Sequence, residues 1–573
     1  MARIKPDNRK RKRSEVREPA ANVVDEEITE PSSNEDDSHA EAGSEELDGE
    51  EELDSDEEFE QENAADKRRR LAKQYLENLK TEANEIASNE IREKSEEKYA
   101  SADEDYNNFD AKDLDREIVA SRLKQDVAEQ QGRIYRFIGD KLLLSEAKTS
   151  FSRVGEKCLT AISCYQPVIN KFSHQESQHK NSAKLFAYTV SKDMVLTKYD
   201  VTNFESRPKK LKYARGGRRF IPESKFEYEN TTEGHYDEIL TLVASPDGKY
   251  VVTGGRDRKL IVWSTESLAP VKVIPTKDRR GEILSLTFRK NSDQLYAACA
   301  DYKIRTYSIN QFSQLEILYG HQDLVVGISA LGMERCVTVG SRDRTAMLWK
   351  IADETRLTFR GGDDPERLAK KWIKQNTQTT EDGKEVPPRS EDIPLFFGEG
   401  SIDCVSMMDD SHFITGSDNG NISLWSLARK KPVFTQRCAH GVVPLPDSTQ
   451  ISAEVQAEKR DKQLQDKKIS HPYWITALYA IPYSNVFVSG SWDGALRVWK
   501  LSENFREFEL LGQLSGCSGV VTHIQAVESG KHGRETFRIL ASVSKEHRLG
   551  RWMSNMPGAR NGIFSATIEQ AGF

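Results

Sequence analysis

From about Thr149 to the C-terminus, short apolar runs alternate with polar turns, and one arrangement keeps returning. An alternating apolar run meets a Gly/Ser/Asp turn, and a second apolar run then closes on Trp: GGRDRKLIVW at Trp263, GSRDRTAMLW at Trp349, GSDNGNISLW at Trp425 and GSWDGALRVW at Trp499. Period-two alternation on both sides of a tight turn predicts adjacent antiparallel strands. Weaker copies fill the intervals: VSKDMVLTKY with Asp193 and Tyr199, CADYKIRTY with Asp301 and Tyr307, and SKEHRLGRW with Glu546 and Trp552. The turns at 193, 257, 301, 343, 418, 493 and 546 number seven. A four-stranded unit can bury its faces only against its neighbours, so the ring has to close. The expected fold is all-β, a seven-bladed WD40 β-propeller over 149–573. Its closing strand is expected near Gly562–Ile568 or near Phe151–Val154. His235 and His321 each precede their Trp by 28 positions, which implies equal blade geometry. The two longest intervals between turns are assigned to polar insertions near 353–399 and 437–470.

The first part of the chain follows another pattern. Asp25 to Glu62 holds 20 Asp and Glu and no Lys or Arg, with too little apolar surface to offset the entropy of ordering. Residues 1–65 are therefore expected to be a disordered basic and acidic tail. Residues 66–148 read as a helical extension, with a narrow stripe of Leu71, Tyr75, Leu76 and Leu79 in its first segment. A second segment begins near Asp113. It is expected either to pack on the propeller or to reach RNA or a protein partner through Arg122, Lys124, Arg133 and Arg136.

Charge changes the picture once the segments are separated. The chain carries −9 overall, but residues 1–24 carry +5, the acidic run −20 and residues 63–140 −3, which leaves +9 from Lys141 onward. A basic folded domain favours polyanionic partners. Two short clusters, Arg9, Lys10, Arg11, Lys12 and Arg13, and Lys67, Arg68, Arg69 and Arg70, suit nuclear import receptors. Ser33, Ser44 and Ser55 precede carboxylates and fit an acidophilic kinase.

Catalytic chemistry is not expected. The seven cysteines show no CxxC and lie largely in apolar runs, as reduced core residues do. No zinc site, cofactor, small-molecule substrate, Walker loop or GxSxG is indicated, and no membrane span of 18 apolar residues occurs. His, Asp and Trp that recur in blade after blade read as a hydrogen-bonded brace rather than a nucleophile system.

Binding is instead expected at the loops. The residues preceding the turn acids are Lys192, Arg256, Ala300, Arg342, Ser417, Trp492 and Lys545, and the following positions add Arg258, Tyr302, Arg344 and His547. A basic rim with interleaved aromatics suits RNA, cations meeting phosphate while Tyr302 and Trp492 stack on unpaired bases. The competing reading pairs each Arg with a carboxylate of a neighbouring blade. KKLKYARGGRRF from Lys209 to Phe220, and KDRR with Arg279 and Arg280, would extend the footprint.

Longer strings carry a more specific likeness. GHQDLVVGISAL at Gly320, GSIDCVSM at Gly400, HFITGSDNGNISLWSLARKKPVF at His412, the AHG at Ala439, HPYWITAL at His471 and KEHRLGRW at Lys545 resemble the U3 small nucleolar RNA-associated WD-repeat proteins of the small-subunit processome. The resemblance implies a non-enzymatic scaffold of the nucleus and nucleolus that binds the box B/C region of U3 snoRNA beside a small kink-turn-binding protein. It would meet other snoRNP and processome proteins, and pre-rRNA indirectly. The alternative is a histone-binding or chromatin-associated WD-repeat scaffold, since an acidic arm also suits histone tails. Glu546, Tyr199 and Tyr307 depart from the generic repeat and leave blade boundaries open.

Overall fold

The computed structural model describes residues 135–571, apart from 156, 166–183, 204–205, 222–232, 275–279, 380–384, 387, 389–392, 445–452, 467–469, 532–533, 553–555 and 557. The tail, the import clusters Arg9–Arg13 and Lys67–Arg70, Ser33, Ser44, Ser55 and the helical expectation through Ile134 lie outside the described residues.

Among the described residues the strands form seven four-stranded antiparallel sheets and one two-stranded pair, Gln378–Thr379 with Glu385–Val386. Blades 1 to 6 are each a simple meander. Their first strands are Leu159–Cys164, Ile239–Ala244, Ile283–Phe288, Val325–Ala330, Ile402–Met407 and Ala477–Ala480. These first strands and Val520–Lys531 of blade 7 touch one another in sequence order and back to the first, so they form the inner wall of a closed ring. Burial follows from that position. Every residue of Leu159–Cys164 is buried, whereas the fourth strand of the same blade, Lys209–Arg215, is exposed at every position but one.

Ring closure uses both candidate strands. Blade 7 runs Val520–Lys531, Arg534–Ser544 and Gly562–Glu569, and its outer strand is Lys148–Arg153, brought from the other end of the domain. Six residue pairs join the two chain ends, from Lys148 with Thr567 to Arg153 with Gly562. Gly562 is required there: a Cβ would lie 2.5 Å from the Ser152 carbonyl oxygen and 2.6 Å from the Phe151 ring. The buried Arg538 spans the next seam, its Nε donating to Ser565 Oγ at 2.8 Å and its Nη atoms to the carbonyls of Val201, Asn203 and Ser206 in blade 1.

The segment just before the closing strand is a docked strap with a single 3₁₀ turn at Gly139–Lys141. Arg136 forms a forked pair with Glu528 at 2.6 and 3.0 Å and reaches Glu535 at 3.2 Å. The Asn485 side chain accepts from the amides of Ile138 and Gly139. These contacts favour packing over a free arm for Arg136.

A meander fixes which loops share a face. Second-to-third strand turns and blade-to-blade connections lie at one end of the ring, and the other two sets of loops at the opposite end. Both insertions are blade-to-blade connections, and so share the face of the turn acids. Each holds a helix, α1 (Pro365–Asn376) and α2 (Ala457–Asp466). The first is shorter than expected, because Thr355–Arg360 is the outer strand of blade 4.

Candidate nucleic-acid interface

The turn acids of blades 2, 4 and 6 are held inside the fold. In blade 2, His235 Nδ1 lies 2.9 Å from Asp257 Oδ2 and its Nε2 2.7 Å from Thr253 Oγ1, to which Trp263 Nε1 donates at 2.7 Å. Blade 4 repeats the set with His321, Asp343, Thr338 and Trp349. Blade 6 uses His440, Asp493, Ser489 and Trp499. The sequence reading missed His440, because the second insertion lengthens its spacing to Trp499 from 28 to 59 positions. Its AHG string was the available signal. In blade 3, where no His precedes the strand, the buried Arg305 grips Asp301 at 2.7 and 3.0 Å, and Arg280 Nη1 donates to the Tyr307 hydroxyl at 3.0 Å.

The neighbours of these acids divide into two groups. Arg258, Arg342, Arg344 and Lys545 are exposed, and Tyr302 is 46% exposed. Arg258, Tyr302 and Arg344, each directly after a turn Asp in three successive blades, have φ of 64°, 66° and 51°. That left-handed region suits glycine, which blade 6 supplies as Gly494 at φ 92°. A side chain there costs on the order of 1 kcal/mol, so local folding alone does not favour Arg, Tyr and Arg at these positions.

Arg256 is intermediate, paired with Glu238 at 2.9 Å and Glu282 at 3.5 Å. For this residue the inter-blade pairing reading describes the geometry. Trp492 is half-buried and packs edge-on against Tyr473 and Trp474.

Two sequence assignments are corrected. Lys192 is 5% exposed; its Nζ donates to the His547 carbonyl at 2.8 Å and lies 3.6 Å from Glu546, so it ties blade 1 to blade 7. Arg280 is 4% exposed, its Nε donating to the Arg258 carbonyl at 2.9 Å. Both long cations are drawn inward because buried carbonyls need donors. Arg279 lies outside the described residues.

Blade 7 departs most from the expected repeat. Glu546 and Trp552 belong to a long connection between Arg534–Ser544 and Gly562–Glu569, and Trp552 is 57% exposed rather than closing a strand. From this connection Arg548 reaches across the ring opening, its Nη atoms donating to the inner-strand carbonyls of Leu284 at 2.7 Å and Val326 at 2.8 Å. His547 beside it is buried, which pushes its pKa down to about 3. Nothing in the spacing of KEHRLGRW signals this crossing.

The same face carries a polar cleft of about 490 Å³ between blades 4 and 5, lined in part by Arg344, Asp363, Asp364 and Glu399. Arg437 and Asn421 hold Asp363 at 2.7 and 2.9 Å, latching the first insertion to blade 5. Burial pushes Glu399 up to about 7; Asp418 and Asp363 push the same way, against the hydrogen bond from Ser417 at 2.9 Å. A carboxyl with a raised folded pKa binds more protons folded than unfolded between its ordinary value and about 7, so its ionisation costs stability as pH rises through that window. Glu399→Gln is therefore expected to stabilise the protein at pH 8 relative to wild type and to lose that advantage at pH 4.5. Denaturant midpoints at the two pH values check this; an equal difference at both would refute it.

Among the described residues no group of His, Cys, Asp and Glu is arranged to hold a metal ion, and no helix is long and apolar enough to cross a membrane. All seven cysteines are free, six of them buried.

Comparison with known proteins agrees with the geometry. The WD domain, G-beta repeat family model matches residues 226–264, 393–426 and 463–500. A crystal structure of RRP9 WD40 repeats superposes with a TM-score of 0.52 at 24% identity, covering 75% of this chain and 99% of that one, which speaks for the fold. U3 small nucleolar RNA-interacting protein 2 of Homo sapiens is 28% identical over 88% of this chain and 82% of its own length. Ribosomal RNA-processing protein 9 of Saccharomyces cerevisiae is 69% identical over 99% of this chain and 98% of its own. With that alignment spanning nearly the whole of both chains, this chain belongs to the family of ribosomal RNA-processing protein 9, a non-enzymatic family of WD-repeat propeller scaffolds.

Proposed function

We propose that the chain is an RNA- and protein-binding scaffold of the U3 small nucleolar ribonucleoprotein, acting in pre-rRNA processing and small-subunit biogenesis in the nucleolus. The observation that carries this reading is the 69% identity over essentially the whole chain to a ribosomal RNA-processing protein, joined by relatives named for U3 RNA or its ribonucleoprotein. The finer reading is that the chain binds the box B/C region of U3 snoRNA beside a small kink-turn-binding protein. Arg258, Tyr302, Arg342, Arg344 and Lys545 are its exposed contacts, with Trp492 at the edge. Phosphate neutralisation with an occasional stacked base suits an RNA already bent by another protein, since backbone contacts position without reading sequence.

Crosslinking the protein to RNA in cells and sequencing the recovered fragments tests the reading. Reads concentrated on box B/C of U3 snoRNA are expected. Recovery of histones without that RNA would instead establish the chromatin alternative, which no comparison favours. With purified protein, combined Arg258→Ala, Arg342→Ala and Arg344→Ala should reduce the slope of log affinity against log salt by about 2, at roughly 0.7 per single-strand phosphate contact.

A further inference from the structure

The outer strand of blade 1, Lys209–Arg215, holds Lys209, Lys210, Lys212 and Arg215 within seven residues. Arg207 before it, and Arg218 and Arg219 on the 3₁₀ turn after it, are also exposed. No Asp or Glu occurs from position 206 to 222. Lysines on an edge strand ordinarily serve to block strand addition by other chains. That role does not account for this density, because the other six outer strands carry no more than two basic residues each: two in Lys148–Arg153 and Thr355–Arg360, one in Pro270–Val273, none in the rest.

The pairing register decides how these cations are arranged. Lys198 pairs with Lys212 and Tyr199 with Lys210, so Leu211 is an extra, bulged residue. A one-residue bulge breaks the alternation of faces. It puts Lys209 and Lys212 on the side toward blade 2, where Lys212 Nζ donates to the Glu266 carbonyl at 3.1 Å. It puts Lys210, Tyr213 and Arg215 together on the other side, and Lys210 Nζ lies 4.4 Å from the Tyr213 ring centre. Tyr213 is 62% exposed. The row therefore reads cation, aromatic, cation. Arg219 Nη2 donates to the Arg215 carbonyl at 3.4 Å, and the Lys259 ammonium binds the Phe220 carbonyl at 3.0 Å, so the row continues to the neighbour of Arg258 in blade 2.

We propose that this strand is a second RNA track, resting on the reading that the protein binds RNA. A single-stranded segment stacks a base on Tyr213 with flanking phosphates on Lys210 and Arg215, and Arg218 and Arg219 lead the backbone to the turn that carries Arg258. An acidic protein segment would satisfy the cations and leave the aromatic face unused, which is why RNA is the better occupant.

The test uses the full chain, a labelled 20-nucleotide oligouridine as probe and a polyglutamate peptide as competitor. Combined Lys210→Gln, Tyr213→Ala and Arg215→Gln is expected to weaken oligouridine binding about tenfold or more and to lower the salt slope by about 1.4, two phosphate contacts' worth. The melting temperature should stay unchanged, and ultraviolet crosslinking should map to Tyr213. Lys148→Gln with Lys272→Gln, on other outer strands, should leave affinity unchanged. Full affinity in the Lys210/Tyr213/Arg215 variant would overturn the track, as would polyglutamate competing as well as RNA at equal charge. If the Arg258/Arg342/Arg344 variant alone loses binding, the rim stands and the track falls. If both variants bind fully, the RNA reading itself fails.

Discussion

A chain lacking Lys148–Arg153 is expected to lose most of its folding stability, although the strand is only six residues long, half of them exposed and none fully buried. An antiparallel pairing of six residues makes about six backbone bonds, each worth about 1 kcal/mol net, and partial burial of Phe151 against Gly562 adds about 1–2 kcal/mol. The sum, roughly 7 kcal/mol, is comparable with the whole stability of a typical domain. The loss also opens Gly562–Glu569 as a long apolar edge in which seven of eight residues are buried in the intact ring. Comparison of chains beginning at Tyr135 and at Val154 by denaturant titration and light scattering checks this. The shorter chain should unfold at much lower denaturant and associate; equal midpoints would show that the ring does not depend on this strand. A third chain beginning at Lys148 isolates the strap, whose Arg136 pair with Glu528 is a separate contribution.

Asp257→Ala is expected to cost about 3–5 kcal/mol, the range for removing one member of a buried, hydrogen-bonded pair. The Asp257 side chain is fully buried and accepts from His235 Nδ1 at 2.9 Å and from the amides of Tyr236 at 3.2 Å and Lys259 at 3.1 Å. Alanine would leave all three donors without this acceptor, those of His235 and Lys259 buried away from water. The adjacent Arg256→Ala should cost under about 1 kcal/mol, because its pairs with Glu238 and Glu282 are partly exposed. Urea titration of the two variants side by side reads the contrast. Similar losses at 256 and 257 would mean that the brace is no stronger than a surface pair. Trp263→Phe, which removes the indole donor to Thr253 together with part of a buried ring, should fall between them.

Much of the architecture was legible because a repeat is a local signal. The spacing of turn acid and Trp reports one hairpin at a time, and each hairpin reports a blade. Blades 2, 4 and 6 were read from intact copies, blade 5 from a copy in which Asn419, accepting from the Asn421 amide at 3.2 Å, holds the turn-acid position one residue after Asp418, and blades 1 and 3 from Tyr199 and Tyr307, which occupy the Trp positions. The signal failed where the hairpin was interrupted. His440 is separated from its blade by an insertion, and the third strand of blade 7 begins at Gly562, well past Trp552. The rim was legible as a list of positions, since every turn residue lies on one face of a meander. Which of them are available was not: Lys192 and Arg256 each precede a turn acid, yet one is buried against His547 and the other is paired at the surface.

The chain's own order of apolar, turn and aromatic residues was enough to establish a ring of seven blades, a basic folded domain behind an acidic tail, and a face on which Arg258, Tyr302, Arg342 and Arg344 recur. These properties depend on neighbours a few residues apart, so they survive without coordinates. The tertiary structure decided everything that joins distant positions: Lys148–Arg153 closing blade 7, Arg548 crossing the opening to blades 3 and 4, Lys192 and Arg280 drawn inside, and the bulge at Leu211 that gathers Lys210, Tyr213 and Arg215. The physical reason is that a buried cation or a strand edge is satisfied by whichever partner the closed ring brings within hydrogen-bond reach, and sequence separation does not limit that choice.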